Sequence, residues 1–318
     1  MGTGRHGGAP PGCDAVTGAA VGRELTVRLG DQELTVTDLG AGLRTYTVAG
    51  RAVLDGCPPG EPCTAGRGNL LLPWPNRIAD ATYRFEGVEY HLPVTEEKSG
   101  SAIHGLTRHE IWTVVEERPD GVVFGFDLRP QPGYPFALRL EVGYALTADG
   151  LRVRVVAANV GKTRAPYAAG AHPYLTVGTD LVDQAVVEIP AGLYYPTDAR
   201  GIPTGRLPVD GTPFDLRAPQ LLGGRRIDNA YADLHRDPDG RARVRLTAPD
   251  GHTVALWMDR AHGHLQVFTG DHVPEPQRRR RGLAVEPMTA APDAFNTGDG
   301  LVALAPGGSH VAEWGIEP

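Results

Sequence analysis

Apolar and polar side chains alternate with a period of two through most of the chain. Clear examples are "ELTVRLGDQELTVTDLG", "GVVFGFDLR", "RLEVGYALT", "LRVRVVAANV" and "ARVRLTAPDGHTVALWMD". Because successive side chains of a strand point to opposite faces of its sheet, this period predicts short strands with one buried face. The 42 Gly and 28 Pro residues divide the chain into such segments. No window has the pattern of an amphipathic helix longer than about ten residues.

Asp-Gly pairs between alternating runs predict β-hairpins, most clearly in "TADGLRV" and "APDGHTV" and also in "RPDGVVFGF" and "DPDGRARVRL". No composition shift marks a linker, and no fixed-period repeat indicates a propeller or solenoid. Residues 1–22 are rich in Gly, Ala and Pro and lack the apolar core of a signal peptide, so we predict a disordered leader. For residues 23–318 we predict a single all-β domain, a large antiparallel β-sandwich.

Composition narrows the range of partners and compartments. A net charge of −7 disfavours nucleic acid or an anionic membrane as the main partner. The one basic block, Arg278 to Arg281, is predicted to be a solvated loop. No run approaches the ~18 consecutive apolar residues of a membrane span. The three cysteines, Cys13, Cys57 and Cys63, show no CxxC spacing, which argues against a disulfide framework or structural zinc site and predicts a reducing cytoplasmic location.

Three ionisable residues interrupt the strand pattern. His104 lies in "SGSAIHGLTRHEIW", His172 in "APYAAGAHPYLTVG" and Glu286 in "RGLAVEPMTAAPDAFN". Each follows apolar residues and precedes Gly or Pro, so each is placed at the end of a predicted strand, where a rigid element can aim a catalytic group. Taken singly, such residues are more often structural or exposed, and spacing alone leaves both interpretations open. His262 and His264 lack a third ligand at metal-like spacing, so no metal site is predicted there.

Seven segments, in order from about Glu24 to Ile316, resemble the motifs of the aldose 1-epimerase (galactose mutarotase) family. They are "LTVTDLGAGLRTYTVAGRAVLDG", "LLPWPNRIADATYRFEGVEYHLP", "AIHGL", "AGAHPYLTVG", "RRIDNAYADL", "HLQVFTGD" and "LAVEPMTAAPDAFNTG". The forms "AIHGL", "NRIADATY" and "AVEPMT" are similar to a bacterial branch. The resemblance implies a galactose mutarotase-like supersandwich, which agrees with the strand pattern.

The same resemblance implies an isomerase that interconverts the α and β anomers of a free aldose without a metal or organic cofactor. It implies that Glu286 is the general base, that His172 is the general acid and that His104 assists at the ring oxygen. Further positions are implied to hold sugar hydroxyls: Asn76, Arg77, Asp228 and Gln266. We therefore expect the acid and the base to flank one small cavity.

This reaction needs a base to take the proton of the anomeric hydroxyl and an acid to protonate the ring oxygen. Burial and neighbouring charges can tune a carboxylate and a histidine for both tasks. Trp74, Tyr174 and Phe268 are candidates either for packing on the sugar or for plain core packing. Leu106 follows Gly105 where many family members have a second glycine, so we expect Leu106 near the site to affect which hydroxyl pattern fits.

Two other functions are compatible with the sequence. The same acid and base could drive dehydration or cyclisation of a hydroxylated metabolite, and a carbohydrate-binding protein would need the binding residues without the chemistry. A phosphosugar mutarotase is a further variant, in which the sugar carries a phosphate, and it would need additional cations at the rim of the site. The expected partner is a small sugar or polyhydroxylated molecule; the sugar, the oligomeric state and the pathway are left open by the sequence.

Overall fold

The structure is a computed structural model that describes residues 21–318. Residues 1–20 of the predicted leader, including Cys13, lie outside the described residues. Val21 and Gly22, also assigned to the leader, belong to the described fold. Val21 is buried, and its carbonyl oxygen accepts a hydrogen bond of 2.6 Å from the Thr37 hydroxyl. The boundary between the leader and the domain stays a prediction.

The described residues form 27 strands. In chain order they are β1 (Glu24–Leu29), β2 (Gln32–Thr37), β3 (Leu43–Val48), β4 (Arg51–Ala52), β5 (Leu70–Leu71), β6 (Arg77–Ile78), β7 (Thr82–Phe85), β8 (Val88–His91), β9 (Ala102–Ile103), β10 (Thr113–Arg118), β11 (Gly121–Leu128), β12 (Leu138–Thr147), β13 (Gly150–Asn159), β14 (Ala165–Tyr167), β15 (Gly170–Ala171), β16 (Tyr174–Leu175), β17 (Val186–Glu188), β18 (Ala191–Tyr194), β19 (Leu207–Pro208), β20 (Gln220–Leu221), β21 (Asp228–Leu234), β22 (Ala242–Thr247), β23 (Thr253–Met258), β24 (His264–Phe268), β25 (Leu283–Met288), β26 (Val302–Leu304) and β27 (Ser309–Glu317). The helices are α1 (Ala294–Thr297) and the 3₁₀ turns Ala79–Ala81, Val182–Gln184 and Pro276–Arg278. Within residues 21–318, none of the helices has the length and apolar character needed to cross a membrane.

Two large antiparallel sheets dominate the fold. One has nine strands in the order β10-β11-β12-β13-β27-β23-β22-β17-β20. The other has eight: β19-β18-β21-β24-β25-β15-β5, with β16 also paired to β25. A third sheet is formed by β1 to β4. One continuous cluster of buried apolar side chains includes Val142 and Val153 from the nine-stranded sheet and Val267 and Val285 from the eight-stranded sheet. The predicted large antiparallel β-sandwich is confirmed.

The period-two pattern explains how each long strand divides its side chains between the core and the outside. In β12, the residues Leu138, Leu140, Val142, Tyr144 and Leu146 are all buried, and the residues between them are more exposed. Each buried aliphatic side chain of this kind contributes about 1.5–3 kcal/mol through the hydrophobic effect. The alternation is therefore the energetic reason for the register of β12 in the sheet.

Three of the four predicted Asp-Gly hairpins are present, and the fourth prediction is wrong. The hairpins join β10 to β11, β12 to β13 and β22 to β23. The "DPDG" turn at 237–240 instead lies between β21 and β22, which belong to different sheets. The turn is formed, since the Gly240 amide donates to the Asp237 carbonyl at 2.8 Å. A turn sequence fixes the local reversal of the chain but not the strand with which the emerging chain pairs.

The predictions about the cysteines and about the basic block are both corrected. Cys57 and Cys63 form a disulfide with their Cα atoms 5.5 Å apart, so the cysteine argument for a reducing compartment does not hold. The basic block is not simply solvated. Arg278 lies 2.7 Å from Asp55, and Arg280 pairs with both Asp183 and Asp271. These arginines bind other segments of the chain, and a short charge run carries no information about such distant partners.

Candidate active site

A cavity of about 470 Å³ opens on the outer face of the eight-stranded sheet. Its volume lies in the range of small-molecule sites. The sequence-predicted site residues all line it: Asn76, Arg77, His104, His172, Asp228, Gln266 and Glu286. The structure therefore brings together side chains that are spread over two thirds of the chain.

Strand register places three of these side chains side by side. Gln266 on β24 lies directly opposite Glu286 on β25, and Asp228 on β21 is one strand further along the sheet. Because strand side chains alternate, these three face the cavity while Val267 and Val285 face the core. The Gln266 amide Nε2 donates a 2.7 Å hydrogen bond to Asp228 Oδ1. The sheet therefore presents a rigid row of one amide and two carboxyl groups.

His172 projects from the segment between β15 and β16, which both pair with β25. Its Nε2 lies 3.2 Å from Glu286 Oε1. The two residues are 6% and 2% exposed. The imidazole stacks on the Tyr174 ring at 5.1 Å between centroids and meets the His104 ring edge to face at 5.5 Å. Aromatic packing on two sides fixes the ring plane, so His172 and Glu286 are held in one relative geometry.

Burial shifts the pKa values of this pair in opposite directions. Desolvation raises the pKa of Glu286 well above its ordinary value, and the negative charge of Asp228 raises it further, against the opposing effect of Arg77. Burial also lowers the pKa of His172 to about 3, with a smaller contribution from the positive charge of Arg67. Burial therefore disfavours the charged form of both members of the pair.

Asn76 and His104 hold each other in an uncommon backbone conformation. Both have positive φ, 55° and 63°, in the left-handed region where Asn is among the tolerated residues. The His104 amide donates to the Asn76 carbonyl at 2.9 Å, and the Asn76 amide donates to His104 Nδ1 at 3.2 Å. Since Nδ1 is an acceptor, the neutral ring carries its proton on Nε2. Burial, together with His172, keeps the pKa of His104 well below its ordinary value, so His104 is a neutral hydrogen-bond donor.

The same hydrogen bond decides whether the site suits a metal ion. His104, His172 and Glu286 bring ligand-type atoms within 4.8 Å of one another, and within residues 21–318 no other such group of three forms. A metal-bound histidine needs a lone pair on one nitrogen and its proton on the other. Nδ1 of His104 is occupied by the Asn76 amide, and Nε2 bears the proton. His104 therefore has no free lone pair, and the trio does not fit a metal.

Residues 24–317 match the family profile described as aldose 1-epimerase. The chain belongs to the aldose 1-epimerase family. A relative from Escherichia coli (strain K12), named uncharacterized protein YihR, is 35% identical over 291 residues, which is 91% of each chain. Galactose mutarotase of Mus musculus is 36% identical over 224 residues, covering 65% of this chain and 63% of the mouse protein. The family predicted from the seven motifs is confirmed.

Solved structures share the fold of this aldose 1-epimerase family member. The GalM/aldose epimerase homologue from C. elegans has a TM-score of 0.80 at 21% identity, covering 93% of this chain and 98% of that one. A galactose mutarotase-like protein from Clostridium acetobutylicum has a TM-score of 0.80 at 18% identity, covering 92% and 93%. At these identities the similarity concerns the fold alone, and it agrees with the predicted supersandwich.

Glu96 and Ser99 are among the residues of this family member's cavity that sequence reasoning missed. Arg77 donates to both carboxylate oxygens of Glu96, from Nε at 2.6 Å and from Nη2 at 2.9 Å. The Ser99 hydroxyl donates to the same carboxylate. Burial acts to raise the pKa of Glu96, but these hydrogen bonds outweigh it and the net shift is downward. The segment "TEEKSG" has the composition of an ordinary exposed loop, so no local signal distinguished Glu96.

The cavity wall also contains the cationic residues Lys98 and Arg200. Arg200 Nη1 lies 2.7 Å from Asp80 Oδ1, and its Nε lies 3.6 Å from Asp198 Oδ2, so two carboxylates balance its charge. Among residues 21–318, Lys98 has no ion-pair partner. Lys98 is therefore a cation of the cavity wall without a paired carboxylate in the described part of the chain.

The remaining expectations about the site divide into two groups. Tyr174 and Phe268 line the cavity. Trp74 does not: it is buried and packs edge-on against Phe295 at 5.5 Å, so plain core packing is its role. The expectation that Leu106 lies near the site is wrong. Leu106 lines a separate surface groove beside β10 and β11, because the chain turns away from the cavity directly after His104.

Proposed function

We propose that this protein is an aldose 1-epimerase that interconverts the α and β anomers of a free aldose in carbohydrate metabolism. The observation that carries the proposal is the 3.2 Å separation of His172 Nε2 and Glu286 Oε1 in the wall of one cavity. Membership of the family supports the isomerase class. The cavity's other polar groups supply what a carbohydrate needs for binding.

Ring opening requires two proton transfers at one hemiacetal. Glu286, as carboxylate, takes the proton of the anomeric hydroxyl, and His172, as imidazolium, gives its proton to the ring oxygen. The bond between the anomeric carbon and the ring oxygen breaks and an aldehyde forms. After the aldehyde turns over, His172 takes the proton back from the hydroxyl and Glu286 returns its proton to the oxygen of the re-formed anomeric centre. Each transfer contributes about 10²- to 10⁴-fold in rate.

Burial of the pair assists this sequence of states. The pair can be a carboxylate beside an imidazolium or a carboxylic acid beside a neutral imidazole. Both forms contain one exchangeable proton. Ring opening converts the first form into the second. Because burial raises the pKa of Glu286 and lowers that of His172, it favours the second form, which accompanies the open-chain aldehyde. Burial of the two side chains therefore stabilises the form of the pair that accompanies the open-chain aldehyde.

The other residues are assigned positioning and binding roles. His104, a donor through Nε2, hydrogen-bonds the ring oxygen and directs it to the acid. Arg77 presents a planar guanidinium that donates directed hydrogen bonds to hydroxyls. Asp228 accepts from hydroxyls, and its bond with Gln266 fixes both side chains on the sheet. Asn76 aligns His104 through its backbone amide and contributes to the same wall.

The test is a screen of purified protein for mutarotation of free aldoses by polarimetry, with NMR exchange spectroscopy as a second readout. The set includes galactose, glucose, xylose, arabinose and one 6-phosphorylated aldose. We expect acceleration for at least one unphosphorylated sugar and loss of it in Glu286→Gln. Acceleration restricted to the phosphorylated sugar would change the proposed substrate from a free aldose to a phosphorylated one. Loss of water from a substrate, visible in the mass spectrum, would favour the dehydration alternative, and binding without acceleration would favour the carbohydrate-binding protein.

A further inference from the structure

We infer that Glu96 is a positioning residue: it fixes the guanidinium of Arg77 in the cavity wall and balances its charge beside Glu286. The inference rests on the proposed function. Neither the sequence motifs nor the family comparison points to Glu96.

Glu96 is held by both its backbone and its side chain. Its amide donates to the Ser101 carbonyl at 3.0 Å, and the Ser101 amide returns a bond of 3.3 Å. The Ser99 hydroxyl donates to the carboxylate, and Ser99 is only 3% exposed. The carboxylate therefore belongs to a residue with an anchored backbone and is held by a buried hydroxyl, which makes it a rigid acceptor rather than a mobile surface group. It can therefore define the orientation of its partner.

Arg77 uses Nε and Nη2 for Glu96, in the two-pronged arrangement that gives the strongest directional constraint. Within residues 21–318, Nη1 has no hydrogen-bond partner. The backbone of Gly201 packs over it so closely that an added Cβ would lie 2.8 Å away. The guanidinium is thus held between Glu96 on one side and a loop on the other. Its uncommitted donor belongs to a residue of the cavity wall and is available to a sugar hydroxyl.

The charges around Arg77 give Glu96 a second effect. The ionisable groups that line this cavity are the acids Glu96, Asp198, Asp228 and Glu286, the bases Arg77, Lys98, His104, His172, Arg200 and His272, and the phenols of Tyr174 and Tyr195. The positive charge of Arg77 acts to lower the pKa of Glu286. Glu96 forms an ion pair with Arg77 at 2.6 Å, so its negative charge opposes that of the guanidinium. Without Glu96, Arg77 would stabilise the Glu286 carboxylate more strongly and make it a weaker base.

The decisive variant is Glu96→Gln, which keeps the shape and one acceptor oxygen but removes the charge. We expect KM to rise about tenfold, as for a lost charge-assisted hydrogen bond. We also expect the acid limb of the kcat/KM profile to move to lower pH. The matched control is Glu89→Gln, which removes the carboxylate from a surface pair with Arg84. The Glu89 side chain is 49% exposed and that of Arg84 is 69% exposed. The control should leave KM and the pH profile unchanged.

A direct titration separates this inference from the proposed function. The pKa of Glu286 is followed by ¹³C NMR of labelled glutamate, with the signal assigned from its absence in Glu286→Gln. In Glu96→Gln we expect the Glu286 titration at lower pH than in wild type, whether or not any sugar is turned over. Should Glu96→Gln fail to fold by circular dichroism, Ser99→Ala tests the same contact with a smaller expected shift in the same direction.

Failure of the proposed function and failure of the inference about Glu96 would give different results. A wild-type protein that accelerates no sugar contradicts the proposed function, and the NMR titration then decides the inference alone. An unchanged Glu286 titration in a folded Glu96→Gln protein overturns the inference. A fall in thermal stability with KM and the pH profile at wild-type values also overturns it, because Glu96 would then only hold the loop together.

Discussion

Substitution of Gly66 by alanine tests whether His172 is fixed as tightly as the geometry indicates. Gly66 has φ of +72°, and a Cβ added there would lie 2.7 Å from His172 Cδ2 and 3.1 Å from Nε2. Ordinary contact begins at 3.4 Å, so the ring must retreat by about 0.7 Å, the difference between 3.4 and 2.7 Å. The Tyr174 and His104 rings pack against two sides of His172 and restrict where it can go.

Gly66→Ala should change both the free energy of unfolding and the catalytic rate. The left-handed backbone costs an alanine about 1–2 kcal/mol of folding stability. The displaced imidazole loses its alignment with Glu286, from which it is 3.2 Å distant. Since a misplacement of about 1 Å can lower a rate by about 10²-fold, we expect kcat to fall by roughly 10- to 100-fold.

Gly60→Ala is the matched control in the same loop region. Gly60 has φ of +74° and no atom within 4 Å of an added Cβ, so it carries the same backbone strain without the contact. Polarimetry gives kcat for both variants, and urea denaturation gives their free energies of unfolding. Similar stability losses with a kcat loss only in Gly66→Ala are expected. Equal kcat values in the two variants would refute the argument that the loop backbone sets the position of His172.

Other predictions concern the acid–base pair and the disulfide. Glu286→Gln should lower kcat by about 10²- to 10⁴-fold with sugar affinity largely retained, and wild-type polarimetric rates in this variant would exclude Glu286 as the base. His172→Asn should strongly lower turnover, and wild type should show a bell-shaped pH–rate profile; a flat profile from about pH 5 to 9 would contradict paired acid–base action. Because folding raises the pKa of Glu286, wild type loses stability as pH rises above 4.5, the ordinary value of that carboxyl. Urea denaturation should therefore show Glu286→Gln gaining stability over wild type with rising pH, and a pH-independent difference would show that Glu286 is not desolvated. Cys57→Ser should lower unfolding free energy by about 2 kcal/mol, and no loss relative to wild type would mean that the bridge to Cys63 does not form in solution.

The sequence by itself determined the strands and most of their hairpins. Side-chain alternation follows from the geometry of the extended backbone, and an Asp-Gly turn follows from the φ values that these residues tolerate, so both are readable within a few positions. The unusual polar positions were also visible. His104, His172 and Glu286 interrupt apolar runs, and Asn76 precedes Arg77 where a strand pattern would place apolar residues.

Only the tertiary structure decided which residues meet. Every residue of β25 is buried, so its sequence does not reveal that Glu286 faces a cavity while Val285 faces the core. That assignment depends on the register with β24 and on the packing of two sheets. Contacts such as Glu96 with Arg77 and Gly66 with His172 depend on loops from distant parts of the chain reaching the same rim. Strand formation is governed by local backbone sterics, whereas strand register and the approach of distant loops are set by the packing of the whole chain, which no short window of sequence contains.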